Sequence, residues 1–169
     1  TATLWWTIAM ALANGVVLLT APIIGAIADD RGWKKRFLMI SASGCVGFTT
    51  LLATAGPGDV SYAMALVILA SICFFTGENL IAAFLPEIAT PDKMGRISAF
   101  GWTIGYLGGL LTLVLCLWVT LNAAAQGAEM ADAVPLTLLI VAAMFVVGSL
   151  PTFIWLRERV QPCERTAIN

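Results

Sequence analysis

One carboxyl group deep inside an apolar run is the strongest candidate for chemistry in this sequence. Glu78 precedes Pro86 by eight residues, which is roughly 12 Å if the run is helical. A carboxylate is costly in hydrocarbon, so Glu78 should bind a proton, pair with a cation or face a water-filled cavity. A carboxyl that exchanges protons could couple solute movement to a proton gradient or contact a substrate. A protonated Glu78 that only hydrogen-bonds a neighbouring helix is the alternative.

Four further side chains are weaker candidates for contact with a proton or a substrate. Asn79 adjoins Glu78 and would extend a polar stripe. Asn14 lies within another apolar run, although a lone membrane asparagine more often bridges two helices. Trp102 and Tyr106 are four residues apart, one helical turn, and could line a cavity or simply pack in a core.

Charged residues are concentrated in the segment from Gly25 to Arg36, which sets six charges between two apolar runs. Asp29 would end a helix, where the helix dipole already places partial negative charge, so it needs a positive partner. The sequence leaves four candidates open: Arg31, Lys34, Lys35 and the N-terminus of another helix.

Two glycines of this segment have expected structural roles. Gly32 should allow a tight reversal, and Gly25 should allow the close approach of a neighbouring helix. An ordinary loop, made basic by membrane topology alone, is the simpler interpretation of the same residues.

These residues must be positioned by membrane-spanning elements, because 60% of the chain is hydrophobic and 11% is charged. A span needs about 20 apolar residues, and the runs do not alternate as barrel strands do. The sequence therefore predicts an all-α, polytopic membrane protein, a single transmembrane helical domain with five transmembrane helices, here A to E. The predicted helices cover residues 3–28, 37–55, 61–85, 97–121 and 135–156.

The basic residues predict how these helices are oriented. They follow helices A, C and E and are absent after B and D, so the A–B and C–D loops and the tail 157–169 should be cytoplasmic. We expect a multi-pass protein of the bacterial inner membrane. An outward N-terminus that begins TATLWWTIAM suggests a preceding helix, or a cleaved signal peptide.

Several functional classes are disfavoured by composition. The net charge of −1 argues against a nucleic-acid partner, and anionic lipid headgroups better explain the basic cluster. The sequence has no histidine, and three of its four cysteines lie inside apolar runs, so neither a metal site nor a cofactor is predicted.

Helix D carries small residues at steps of three and four, which would form a groove for another helix. Its packing glycines are Gly101, Gly105, Gly108 and Gly109. Packing is the favoured interpretation of this groove, and a moving contact is the alternative.

The Gly25–Arg36 segment closely resembles the signature loop between the second and third helices of major facilitator superfamily transporters. The resemblance is carried by Gly25, Asp29, Gly32 and the basic pair Lys34-Lys35. It implies that Asp29 belongs to an ion-pair latch, which holds the outward-open state between the two halves of such a transporter. Trp33 departs from the pattern, which usually has arginine there, and leaves the basic part to the two lysines.

A second match narrows the resemblance to one branch. Residues 83–109 read AFLPEIATPDKMGRISAFGWTIGYLGG, which looks like the branch that contains vacuolar amino-acid effluxers linked to autophagy and their bacterial relatives. Ile81-Ala82 departs from the aromatic-Asn pair usual before AFLP. The resemblance implies a fragment covering about helices 2 to 6 of a twelve-helix fold, without the first helix and the second half.

The function predicted from these features is that of a fragment of a secondary active transporter. It would move a small solute by alternating access, with proton-coupled efflux of an amino acid or metabolite as the finer form. A non-transporting scaffold or assembly subunit that packs through glycine-rich helix faces is the alternative. An intramembrane enzyme is disfavoured, because Glu78 has no visible catalytic partner.

Overall fold

A computed structural model describes residues 2–56 and 58–155 of the chain, and these residues form five α-helices without a strand. The helices are α1 (Ala2–Arg31), α2 (Lys34–Leu52), α3 (Val60–Ile88), α4 (Met94–Ala125) and α5 (Met130–Trp155). The predicted all-α membrane fold with five helices is confirmed. The predicted cytoplasmic tail 157–169 and the last residue of helix E lie outside the described residues.

Four of these helices are long and apolar enough to cross a membrane. The spans are Thr3–Arg31, Val60–Pro86, Met94–Ala125 and Ala131–Trp155. Helix α2 differs from them because it has 19 residues and begins with three basic ones. Its apolar part is therefore shorter than the about 20 residues that a straight crossing needs.

Three helix ends near the Gly25–Arg36 segment extend beyond the predicted bounds. Helix α1 ends at Arg31 and α2 already begins at Lys34, because charged residues can continue a helix once it has left the apolar region. Helix α3 passes Pro86 and ends at Ile88, and Ala89 then becomes extended, with φ −128° and ψ 138°. The sequence, which defined spans by apolar residues alone, placed these ends three residues short.

The connection before α5 is also shorter than predicted. The sequence placed a connector between residues 121 and 135, whereas α4 continues to Ala125 and α5 begins at Met130. Gly127, with φ 75°, makes the turn between the two helices, a conformation that glycine adopts without steric cost.

The closest helix pair is α2 and α3, which approach through small residues. A Cβ atom built on Gly44 would lie 2.8 Å from the Cys73 Sγ atom, and one built on Gly77 would lie 3.2 Å from the Ser41 Oγ atom. Small residues let helix backbones come close and gain dispersion contacts, which replace the hydrophobic drive that lipid removes. These two glycines therefore set the spacing between α2 and α3.

The remaining helix contacts place α4 at the edge of the bundle. Helix α3 packs on α1 as well as α2, whereas α5 packs on α2 and α4, and α4 otherwise barely touches α3. The core lies among α1, α2 and α3, where its buried members are Ala28, Leu38, Leu80 and Phe84. Helix α4 has no buried residue.

Candidate functional site

The reversal between α1 and α2 is made by Gly32 and Trp33 alone. Gly32 has φ 62°, and the Trp33 amide donates a hydrogen bond to the Ala28 carbonyl at 3.0 Å. This bond joins the second residue past the helix to the last turn, the Schellman arrangement that closes a helix with a left-handed glycine. The turn predicted at Gly32 is present and has a specific backbone cap.

Asp29 forms an ion pair across this turn with Lys34. The Lys34 Nζ atom lies 2.5 Å from the Asp29 Oδ1 atom, and the Asp29 side chain is 62% exposed whereas that of Lys34 is 14% exposed. Of the partners that the sequence left open for Asp29, Lys34 is the one that contacts it among the described residues. The pair offsets the unfavourable position of a carboxylate at the C-terminus of α1.

The same lysine contacts the second sequence motif. Its Nζ atom lies 6.0 Å from the centroid of the Phe84 ring, near the distance limit for a cation–π contact. Phe84 belongs to the AFLPE segment and is 2% exposed. Lys34 therefore connects the Asp29 loop to the end of α3, a meeting of two motifs that neither motif by itself predicts.

The Asp29–Lys34 ion pair lies next to the buried cluster formed by α1, α2 and α3. Ala28, the residue before Asp29, is fully buried, and it clusters with Leu38, Leu80 and Phe84. Ile24, Phe37 and Phe153 pack around this cluster. The loop therefore adjoins a buried cluster to which α1, α2 and α3 all contribute.

The other residues of the loop motif have different surroundings. Arg31 is exposed and lies over the Trp33 ring, while Lys35 is half-buried. A Cβ atom built on Gly25 would meet no other atom within 4 Å. The predicted close approach of a helix to Gly25 is therefore absent within the described part of the chain.

Glu78 and Asn79 are exposed in α3, next to the buried Leu80. Among residues 2–56 and 58–155, neither side chain forms a hydrogen bond or an ion pair. The described chain thus places no cation beside Glu78.

The remaining candidates make local contacts. The Asn14 Nδ2 atom donates a hydrogen bond to the Met10 carbonyl of its own helix at 2.8 Å, so a bridge from Asn14 to a second helix is absent from the described structure. Trp102 and Tyr106 contact each other with ring centroids 5.9 Å apart. Both rings remain more than half exposed.

The glycine face of α4 has no partner helix in the described structure. A Cβ atom built on Gly101, Gly105, Gly108 or Gly109 would find open space within 4 Å. The glycines that do pack closely are Gly44 and Gly77, which sequence reasoning missed. The small residues beside them, Ser41 on α2 and Cys73 on α3, are the signal that could have found them.

Two open grooves indent the surface, and both are mainly apolar. One of about 370 Å³ lies at the loop end and is lined by Ile81, Phe84, Ile88, Pro151, Thr152 and Trp155. The other, of about 650 Å³, lies between the opposite ends of α1, α2, α3 and α5. Glu78, Trp102 and Tyr106 line neither groove. No group of three potential metal ligands occurs among the described residues.

Comparison with known proteins decides which family these motifs come from. The family described as "Vacuole effluxer Atg22 like" matches residues 5–168, nearly the whole chain. The chain belongs to this Atg22-like family. No solved structure matches it.

A curated relative of this Atg22-like chain is the "Uncharacterized MFS-type transporter YxiO" of Bacillus subtilis (strain 168). The two are 32% identical over 127 residues, which is 75% of this chain and 29% of YxiO. The predicted resemblance to a major facilitator transporter of the vacuolar effluxer branch is confirmed. The chain spans less than a third of the length of this relative.

Proposed function

We propose that this chain is part of a secondary active transporter that moves a small solute by alternating access, and that the α1–α2 loop is its conformational latch. Family membership supports the transporter class. The Asp29–Lys34 ion pair, held against Phe84, is the observation that carries the latch role. No chemical change of the solute is part of this proposal.

The geometry of Asp29 suits a contact that forms and breaks. Lys34 lies at 2.5 Å from one carboxylate oxygen, while 62% of the side-chain surface stays exposed. The second oxygen can therefore accept hydrogen bonds from outside the chain, as from the free N–H groups at the N-terminus of a helix in the second half of the transporter. Such a contact would hold one state and be released in the other.

The second half and the first helix of the transporter are the partners that this proposal requires. Their presence would account for the open side of the described chain, where Glu78, Asn79 and the glycine face of α4 lack partners among the described residues. Facilitator-type sites lie near the bilayer midplane between repeats. Glu78, Asn79, Asn14, Trp102 and Tyr106 would form one wall of such a site.

The finer form of the proposal is proton-coupled efflux of an amino acid or a metabolite, with Glu78 carrying the proton. Glu78 is the ionisable residue farthest inside a predicted span, and such residues mark ion and substrate pathways. We also propose the bacterial inner membrane as the location, which the Bacillus subtilis relative supports. The loop and the C-terminal tail would be cytoplasmic, because basic residues follow α1, α3 and α5.

A scaffold or assembly subunit is the second candidate, and the unpartnered glycine face of α4 favours it. Such a subunit would use this face to bind another membrane protein. Solute flux by the purified full-length parent protein in vesicles separates the two functions, because a scaffold would carry none.

Asp29→Asn in the full-length parent tests the latch. Loss of the charge should shift the balance from outward-open to inward-open states and leave membrane insertion unchanged. The measurement is the modification rate of single reporter cysteines placed on each side of the transport pathway. Asp30→Asn is the matched control, because Asp30 is the adjacent exposed carboxylate and forms no ion pair among the described residues. Equal reporter rates in Asp29→Asn and the parent would refute the latch.

A further inference from the structure

The guanidinium groups of two arginines from different helices lie against the side chain of Trp33. The Arg31 Cζ atom lies 4.9 Å from the centroid of the Trp33 ring and the Arg36 Cζ atom lies 5.4 Å from it. Guanidinium groups within about 6 Å of an indole centroid are attracted to its face. Because Arg31 ends α1 and Arg36 belongs to the first turn of α2, one ring lies beside two positive charges from both sides of the turn.

These two guanidinium groups keep their hydrogen-bond donors available. Both arginines are exposed, and neither side chain donates to an acceptor among the described residues. Each guanidinium carries five N–H donors in a fork that matches phosphate oxygens. Of the nearby carboxylates, Asp29 pairs with Lys34, and Asp30 pairs with neither arginine in the described structure. The pair is therefore arranged to receive an anion from outside the chain.

The ring between the arginines indicates where that anion comes from. Trp33 is half-buried and lies at the end of the long apolar span of α1, the depth at which tryptophan is enriched in membrane proteins. A soluble anion would gain nothing from an indole face, whereas a phospholipid presents its phosphate and its glycerol and upper acyl carbons at this depth.

We propose that Arg31, Trp33 and Arg36 form a binding site for the phosphate of an anionic phospholipid headgroup. The two guanidinium groups bind the phosphate, and the indole both aligns them and packs against the apolar part of the same lipid. This site uses other residues than the proposed latch, in which Lys34 contacts Asp29 and Phe84.

The test counts lipids bound to the detergent-purified, full-length parent protein by native mass spectrometry. The protein is titrated with phosphatidylglycerol or phosphatidylcholine. In the variant Arg31→Gln/Arg36→Gln, the affinity for phosphatidylglycerol should fall about thirtyfold, because each arginine near an anionic surface contributes about fivefold. The affinity for phosphatidylcholine should stay unchanged.

A matched control removes two positive charges from a different loop. Lys93→Gln/Arg96→Gln changes two exposed cations beside the α3–α4 turn, and it should lower the affinity for phosphatidylglycerol less than threefold. Trp33→Leu keeps an apolar side chain without the ring and should cost roughly threefold. Arg31→Lys/Arg36→Lys keeps the charges without the guanidinium fork, so its affinity for phosphatidylglycerol should lie between that of the parent protein and that of Arg31→Gln/Arg36→Gln. This variant guards against misfolding as the cause of a loss.

Three results would overturn the proposal. The first is an equal loss in both double glutamine variants, which would assign the binding to general positive charge. The second is unchanged phosphatidylglycerol binding in Arg31→Gln/Arg36→Gln. The third is displacement of the lipid by millimolar inorganic phosphate, which would make the site one for a soluble anion.

Discussion

The loop end of α1, α2 and α3 is packed, whereas α4 packs mainly on one helix, α5. At the loop end, Phe84 is 2% exposed, and Ala28, which precedes Asp29 of the ion pair, is fully buried. Helix α4, which is at least as apolar, buries no residue in the described structure. Composition therefore does not distinguish the two regions. What differs is the number of partner helices in the described structure, which is larger at the loop end than at α4. The completion of α4 by further helices belongs to the proposed function.

The largest expected effect is that of Phe84→Ala at the packed end. Removing the ring should leave a cavity and destabilise the full-length protein by roughly 3 kcal/mol, near the lower end of the range for buried phenylalanine, because lipid weakens the hydrophobic part of the cost. The measurement is thermal or denaturant unfolding of the purified protein in detergent.

Phe100→Ala is the control on α4, where Phe100 is 57% exposed. If α4 is as open in the full-length protein as in this chain, the substitution should change stability by less than about 0.5 kcal/mol. A loss as large as that of Phe84→Ala would instead show that other helices cover α4. An unchanged stability in Phe84→Ala would contradict the description of the loop end as the core.

A smaller effect is expected where α2 meets α3. In Gly44→Ala the new methyl group would lie 2.8 Å from the Cys73 Sγ atom, so the Cys73 side chain or the helix backbones must shift, at a cost of about 1–2 kcal/mol. Gly105→Ala is the counterpart on α4, where the same methyl group meets open space and alanine is the better helix former.

The same unfolding measurement distinguishes these two variants. Gly44→Ala should unfold more readily than the parent protein. Gly105→Ala should be unchanged or slightly more stable if α4 is as open in the full-length protein as in this chain, and destabilised if further helices pack on the glycine face as proposed. If Gly105→Ala is instead the less stable of the two variants, the glycines of α4 pack tightly in the full-length protein and the α2–α3 contact accommodates the methyl group.

The smallest effect on stability is expected for Glu78→Gln. Glu78 is exposed and has no partner among the described residues, so the change should be within about 0.5 kcal/mol. If Glu78 carries the coupled proton, solute flux should lose its dependence on pH, because glutamine cannot bind and release a proton. Flux is measured in vesicles over a range of external pH, with Glu129→Gln in the α4–α5 connection as the control. A preserved pH profile would leave Glu78 a packing residue.

The candidate site was only partly predictable, as Asp29 illustrates. Its need for a cation follows from its place at the end of a helix, yet Arg31, Lys34 and Lys35 fit that need equally well in sequence. The choice of Lys34 depends on the turn at Gly32, which starts α2 directly after Trp33. The contact of Lys34 with Phe84 joins residues 50 positions apart, and no local pattern encodes it.

The glycines show a second limit of the same kind. A small-residue pattern stands out in α4, yet the glycines in close contact are Gly44 and Gly77. In a soluble protein, the apolar face of a helix indicates its buried side. In a membrane protein, lipid is as apolar as the interior, so the sequence pattern does not report which side of a helix faces protein.

The sequence by itself determined the all-α membrane class, the five helices, the turn at Gly32 and the facilitator-type loop, because these depend on composition and on residues close together in the chain. The tertiary structure alone decided that Lys34 contacts both Asp29 and Phe84, that Arg31 and Arg36 share the Trp33 ring, and that α4 buries no residue in the described structure. Those outcomes depend on how each helix is rotated and which helix lies beside it. The rotation and the neighbours of each helix are fixed by dispersion and close packing between particular surfaces. Such packing leaves no periodic signal in a sequence that is apolar on every face.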